Sequence, residues 1–341
     1  MKTAVIFGGM GFIGMHFATY LLSQNKFELI YLIDISEPKD KFGNTLYENL
    51  KINNRVKIIQ KDIRKDLSDL QVSKVDIIFD FAALHREPGH ADHEYFDTNV
   101  VGSKNICKFA DQVNCKNIIF TSSISVYGPG DHEKNEDTNT LPNTAYGKSK
   151  LNAENNYFNW QNQNENQKIL TICRPGVVFG PGENGNVTRL VKAIKKRLFF
   201  FMGNKYLKKS GIYIKELIYS IMWVNENQIN NHFKKISLFN GTLHPCPNLN
   251  NYVSAISIQF ENTKEFISIP KTLIKLLIFF TSFFTKNLSS GSNYNYTRLN
   301  KLFRSNFVTP KFLLNSKYNF SYTLKSAMKD WKETNIEDWE S

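Results

Sequence analysis

An α/β fold built on a doubly wound parallel sheet is predicted by three features of the 341-residue sequence. A glycine-rich turn near the N-terminus joins an apolar run to a helical pattern. Short apolar runs then alternate with helical stretches through the first half of the chain. Gly8, Asp34, Asp62, Ala82 and Ser123 each fall at the end of such a run. Ligands of this class of sheet bind beyond the carboxyl ends of the strands.

The first strand is the apolar run Ala4–Phe7, broken by Gly8-Gly9-Met10-Gly11-Phe12-Ile13-Gly14, after which Met15–Leu22 has helical spacing. The glycines fit GxGxxG from Gly9 and GxxGxxG from Gly8. Either pattern lets backbone approach a pyrophosphate seated at a helix N-terminus. The next run, Glu28–Ile33, ends at Asp34, twenty residues past Gly14. An acid at that spacing is placed to bond the adenosine ribose hydroxyls and repels a 2′-phosphate, which favours NAD over NADP. Val56–Ile59 reads as a third strand ending near Asp62-Ile63, and Val75–Phe81 as a fourth leading into Ala82-Ala83. Asn117–Ser122 and Ile169–Arg174 give a fifth and a sixth, with helices around Val100–Val113 and Ala145–Trp160. Asn155–Gln167, rich in Asn and Gln, reads as a solvated helix end and loop. Beyond Val178 the alternation weakens. The expected division is therefore a cofactor domain over 1–178, rejoined by 210–240, and a smaller substrate lobe made of 179–209 and 241–335.

Forty-three basic residues against 31 acidic ones give a net charge of +12, which points to anionic partners. No nucleic-acid-binding motif accompanies the charge, so phosphates or an acidic membrane surface are the expected classes. Between Lys192 and Lys209 lie seven bases and no acid, with Leu198-Phe199-Phe200-Phe201 among them. Such a strip can grip a diphosphate, meet an anionic bilayer, or form a solvated helix face. The apolar run Leu276–Phe284, flanked by Lys271, Lys275 and Lys286, is too short to span a bilayer. It reads as a buried helix of the small lobe or as a contact for a polyprenyl tail or lipid. Four separated cysteines with no CxxC pair give neither a zinc nor a disulfide framework, and a reducing cytoplasm follows.

Tyr146 and Lys150 stand at i and i+4, on one face of a helix. A phenol is a poor base at neutrality, and bringing it from a pKa of about 10 to about 7 takes about 4 kcal/mol. A nearby ammonium favours the phenolate. Ser123 closes the fifth strand, where its hydroxyl would reach the same substrate oxygen.

Taken in order, Gly8–Gly14, Asp34, Asp62-Ile63, the Ser123 segment and Tyr146–Lys150 make residues 3 to 235 resemble the extended short-chain dehydrogenase/reductases, in their epimerase/dehydratase branch. That resemblance implies a Rossmann-type NAD(P)-binding fold, a homodimer, and three catalytic residues. Tyr146 is the implied acid/base, Lys150 its electrostatic partner and nicotinamide-ribose ligand, and Ser123 the hydroxyl orienter. Gly8, Gly11, Phe12, Ile13 and Gly14 would carry the pyrophosphate, Asp34 the ribose, and Asp62 and Ile63 the adenine. Phe81, Ala82, Ala83 and Asn99 would line the remaining cofactor pocket. His85, His90 and His93 cluster with Glu87, Asp92 and Asp97, but hydride chemistry needs no metal and none is expected.

Within the branch, sugar 4,6-dehydratases carry an Asp-Glu pair where this chain has Ile124-Ser125. UDP-galactose 4-epimerases carry Arg-Tyr-Phe-Asn where it has Arg174-Pro175-Gly176-Val177. The sequence is most similar to 4-epimerases of bacterial surface-polysaccharide synthesis, through Ala83–Arg86, Val178–Gly180, Gly185–Val187 and Met202–Ser210. These imply a diphosphate-linked amino sugar, on a nucleotide or polyprenyl carrier, held by Arg86, Ser123, Asn186 and Lys209. The enzyme would be cytoplasmic, with peripheral contact to the inner face of the membrane. A dehydrogenase or 4-ketoreductase on the same substrates is the first alternative, and a non-catalytic NAD-binding scaffold the second.

Overall fold

Apolar runs buried on both faces cannot sit at the surface of a sheet, and the strands accordingly form its middle layer. A computed structural model describes residues 2–37, 41–72, 74–87, 89–261, 265–273 and 303–340. The apolar run 276–284 lies, like the rest of 274–302, outside the described residues.

The main sheet contains β1 (Thr3–Phe7), β2 (Leu29–Asp34), β3 (Val56–Gln60), β4 (Ile77–Asp80), β5 (Asn117–Thr121) and β6 (Ile169–Pro175), with β10 (Ile236–Gly241) as its seventh strand. The order is β10-β6-β5-β4-β1-β2-β3, every pair parallel. Strand order reverses between β1 and β4, and such a switch point opens a crevice at the carboxyl ends.

Alternation sorts each strand between two cores. Ala4, Ile6, Ile30, Leu32 and Phe79 face α1 (Phe12–Ser23) and α7 (Ile214–Ile229). Val5, Phe7, Ile33, Ile78, Phe120 and Ile172 face α4 (Gly102–Gln112) and α5 (Ala145–Asn162). The stretch read as a solvated helix end is helical as far as Asn162. Asn155, Asn159 and Asn162 are exposed on one side while Tyr157, Trp160 and Gln161 are buried on the other.

Two smaller pairings lie outside the main sheet. β7 (Val177–Phe179) pairs with β9 (Gly211–Tyr213), and β8 (Phe201–Met202) with β11 (Ser268–Ile269). The C-terminal segment is tied back by Asp338, whose carboxylate accepts from Gly182 N–H and Trp331 Nε1–H, both at 2.8 Å. Among the described residues no helix is long and apolar enough to cross a membrane.

Candidate active site

The glycine turn is shaped by contacts that admit no side chain. Gly8 has φ +73°, and a Cβ there would lie 2.6 Å from the Ala82 nitrogen. A Cβ on Gly14 would lie 2.2 Å from the Gly8 oxygen. Gly11 starts α1 without any side-chain cap, so the first-turn amides of Phe12, Ile13 and Gly14 are left facing the crevice. That is a cradle for an anion, built from backbone alone.

Asp34 closes β2 beside this turn and accepts from Met10 N–H at 3.1 Å and Ile35 N–H at 2.8 Å. Burial pushes its carboxyl up while those amides pull it down. Glu37, which accepts from the Tyr47 hydroxyl at 2.8 Å, adds a second carboxylate nearby. Sequence reasoning had no signal for Glu37. Asp62 is gripped by Arg64 through two nitrogens at 2.7 to 3.0 Å, which lowers its pKa. Ile63 is buried under Gly102, and its carbonyl accepts from Asn105 Nδ2 at 2.8 Å. Phe81 packs on Phe17 with ring centroids 4.7 Å apart, and Ala82 and Ala83 continue past it along the crevice.

Asn99 sits in a π-helical turn, Asp97–Val101, between α4 and the short helix α3 (Asp92–Phe96). Its amide is fully used: Oδ1 accepts from Leu84 N–H at 2.9 Å, and Nδ2 donates to the Leu84 carbonyl and to Ser149 Oγ. The residue therefore clamps the segment after β4 onto α5, a second-rank role that its expected place in the pocket did not reveal.

Ser123 caps the 3₁₀ turn Ile124–Tyr127 by accepting from Ser125 N–H at 3.1 Å. Tyr146 begins α5, which Thr144 caps by accepting from Gly147 N–H. Tyr146 and Ser123 are hydrogen-bonded, and the Tyr95 ring stands 6.2 Å from the phenol ring. Burial pushes the Tyr146 hydroxyl up to about 12, against the pull of Ser123, and Glu87 and Tyr95 push it further. This is opposite to the direction expected from the Tyr146–Lys150 spacing. The lysine's charge is directed elsewhere: its Nζ sits 4.3 Å from the Phe120 ring centroid, on the sheet side of α5. Lys150 is buried and makes no hydrogen bond or ion pair among the described residues. Burial lowers it to about 8, while Asp80 and Glu154 raise it.

Both of those carboxylates escaped the sequence-based expectation. Glu154, four residues beyond Lys150, accepts from Arg174 Nε at 2.9 Å and Nη2 at 2.6 Å. Asp80, the last residue of β4, accepts from the Tyr157 hydroxyl at 2.6 Å and Ala82 N–H at 3.1 Å. An acid closing an otherwise apolar strand was a signal available in the sequence.

The four residues expected at the substrate are spread over three regions. Ser123 adjoins Tyr146, and Arg86 is exposed in the segment whose carbonyl accepts from the Tyr95 hydroxyl at 2.5 Å. Asn186 is the exposed first residue of α6 (Asn186–Lys195) and accepts from Arg189 at 2.6 Å. Lys209 donates to the Arg304 carbonyl at 2.7 Å, and burial lowers it to about 8.

The sequence profile of the 3-beta hydroxysteroid dehydrogenase/isomerase family matches residues 5–262. An N-acetyl-alpha-D-glucosaminyl-diphospho-ditrans,octacis-undecaprenol 4-epimerase of Escherichia coli O157:H7 is 32% identical over 188 residues, 55% of this chain and 56% of the relative. The chain thus matches just over half of that relative's length. A UDP-glucose 4-epimerase of Mycoplasma genitalium is 31% identical over 248 residues, 64% of this chain and 68% of the relative. Among solved structures, the UDP-glucuronic acid 4-epimerase of Bacillus cereus in complex with NAD superimposes with a TM-score of 0.73 over 98% of this chain and 99% of that one. At 18% identity, that similarity is one of fold.

Proposed function

The chain belongs to the 3-beta hydroxysteroid dehydrogenase/isomerase family of extended short-chain dehydrogenase/reductases, and from that premise we propose an NAD-dependent 4-epimerase acting on a diphosphate-linked amino sugar. The observation that carries the proposal is the hydrogen bond between Ser123 and Tyr146 just past the end of β5, with Lys150 buried one turn further along the same helix.

The residues fit a dinucleotide. The cradle of Gly8, Gly11 and Gly14 with its open first-turn amides suits a pyrophosphate. Asp34 at the end of β2, with a second carboxylate three residues on at Glu37, would repel a 2′-phosphate, which favours NAD. Lys150 has ammonium protons to give to ribose hydroxyls. When bound, the nicotinamide supplies a reversible hydride acceptor and a positive charge.

Tyr146 is assigned the proton transfer. Its phenol keeps its proton in the chain alone, so the basic form is reached only in the loaded cleft, where positive charge favours phenolate. It takes the proton of the sugar C4 hydroxyl as that carbon is oxidised, leaving a 4-keto sugar. It returns the proton when hydride comes back to the opposite face, which inverts C4 with no net redox change. Ser123 holds the reacting oxygen. Ile124 and Ser125 provide no carboxylate for dehydration.

The segments 179–209 and 241–335 are assigned the sugar and its carrier, with Arg86, Asn186 and Lys209 as the contacts. Relatives named for undecaprenol-linked and UDP-linked sugars both support a diphosphate carrier. Exposed Leu198 next to Lys196 and Arg197, and exposed Tyr206 under Lys205, support peripheral contact with the inner face of the membrane. The test is to incubate the purified protein with UDP-N-acetylglucosamine and, separately, with undecaprenyl-diphosphate N-acetylglucosamine, then identify the sugar released by mild acid. A galacto product from either supports the proposal and names the carrier. Gluco sugar alone from both, or accumulating NADH absorbance, would overturn it.

A further inference from the structure

Lys150 lies over the ring of Phe120, the residue paired with Asp80 across β4 and β5, and two carboxylates, Asp80 and Glu154, act on its charge but differ in one respect. Glu154 has both oxygens taken by the Arg174 guanidinium, so its charge is largely cancelled where it stands. Asp80 is held by a phenol and a backbone amide, both neutral, so its charge is not cancelled by a partner. It is also held in place. Tyr157 lies two turns beyond Lys150 on the same buried side of α5, and its ring packs 4.6 Å from Phe120, the ring under the ammonium. Asp80 also accepts from the Ala82 amide, whose nitrogen a Cβ on Gly8 would meet first.

We propose that Asp80 is a positioning residue, the buried counter-charge that keeps the Lys150 ammonium charged and in its place over the Phe120 ring. This rests on the assignment of Lys150 to the catalytic site. The groups facing Asp80 are Lys150, Glu154 and Tyr157 from α5 and Cys107 from α4, while the Thr121 hydroxyl on β5 donates to its carbonyl. None of these except Lys150 is a cation. An ammonium that has lost its hydration and makes no hydrogen bond in the chain loses its proton easily. Burial has already brought Lys150 down to about 8, and the same burial brings Asp80 up to about 6. Both are charged together between those values. Below about pH 6 Asp80 takes a proton and the support is withdrawn. Above about pH 8 Lys150 gives its proton up.

The test reads the lysine directly. The full-length protein is prepared with lysine carrying ¹³C at Cε, the Lys150 resonance is assigned by its loss in Lys150→Arg, and its shift is followed against pH with and without NAD. Asp80→Asn is expected to move the Lys150 midpoint down by about one unit or more. Tyr157→Phe, which removes one of the two groups that hold Asp80 but leaves the carboxylate, is expected to move that midpoint less than Asp80→Asn does. The same midpoint in Asp80→Asn as in the unaltered protein would overturn the proposal. A second handle needs no variant: protonation of Asp80 should appear as a smaller inflection of the Lys150 signal near pH 6. Its absence would overturn the proposal even if Asp80→Asn cannot be purified. Separately, unimpaired turnover by Lys150→Met would remove the premise that Lys150 is catalytic, whatever the titration gives.

Discussion

Tyr146→Phe is expected to lower turnover by about 10²- to 10⁴-fold, the usual contribution of a positioned acid/base. It should leave cofactor binding as it is, because only a hydroxyl is lost and the ring keeps its place against Tyr95. A fluorescence titration should therefore rank NAD above NADP equally in both proteins, as Asp34 and Glu37 require. Turnover within tenfold of the unaltered protein would remove Tyr146 from the chemistry. Loss of NAD binding in the variant would instead show a structural part for the hydroxyl, and NADP ranked first would overturn the ribose assignment.

The largest effect on stability is expected at Arg174. Its guanidinium joins Glu154, reaches the Tyr127 hydroxyl at 3.0 Å, and lies with its carbon 4.9 Å from the Tyr127 ring centroid. The Glu154 side chain has no solvent exposure and that of Arg174 only 6%. Arg174→Met would strand a carboxylate in the core, at a cost of about 3–5 kcal/mol. Against a total stability of about 5–15 kcal/mol, that is a large fraction. Denaturant unfolding should show a lower midpoint with the slope unchanged. Arg174→Met combined with Glu154→Leu should recover most of the loss, since a well-packed apolar pair often equals a buried ion pair. A loss below about 1 kcal/mol in the single variant would mean that Glu154 finds water or another partner.

Residues whose relation is carried by local geometry could be read before the structure was known. The glycine turn, Asp34 at its spacing and the Tyr146–Lys150 step all depend on one turn, one strand or one helical face. Asp80 and Tyr157 are 77 residues apart, and only the parallel sheet brings β4 under α5. The pairing of Glu154 with Arg174 likewise needs α5 laid across β6. Helical spacing also sets a shared face without setting which charge each side chain meets. Tyr146 is turned towards Ser123 and Tyr95, and Lys150 towards Phe120 and Asp80, so the phenol is raised where the bare spacing suggested it would fall. The Asn- and Gln-rich segment read as a solvated helix end and loop does end α5 at Asn162 and continue as a turn, while one side of its helical part buries Tyr157 and Trp160, which composition did not reveal.

The central claim is that C4 is oxidised and reduced within one site, with Tyr146 moving the proton and the hydrogen of C4 never passing to water. The direct measurement uses a sugar substrate carrying deuterium at C4, allowed to reach equilibrium with the protein in ordinary water and analysed by mass spectrometry and NMR. The galacto product is expected to keep its deuterium at C4, with no net change in NADH. Product in which that deuterium has been replaced by solvent hydrogen would contradict the mechanism and point to proton abstraction at carbon in place of hydride transfer.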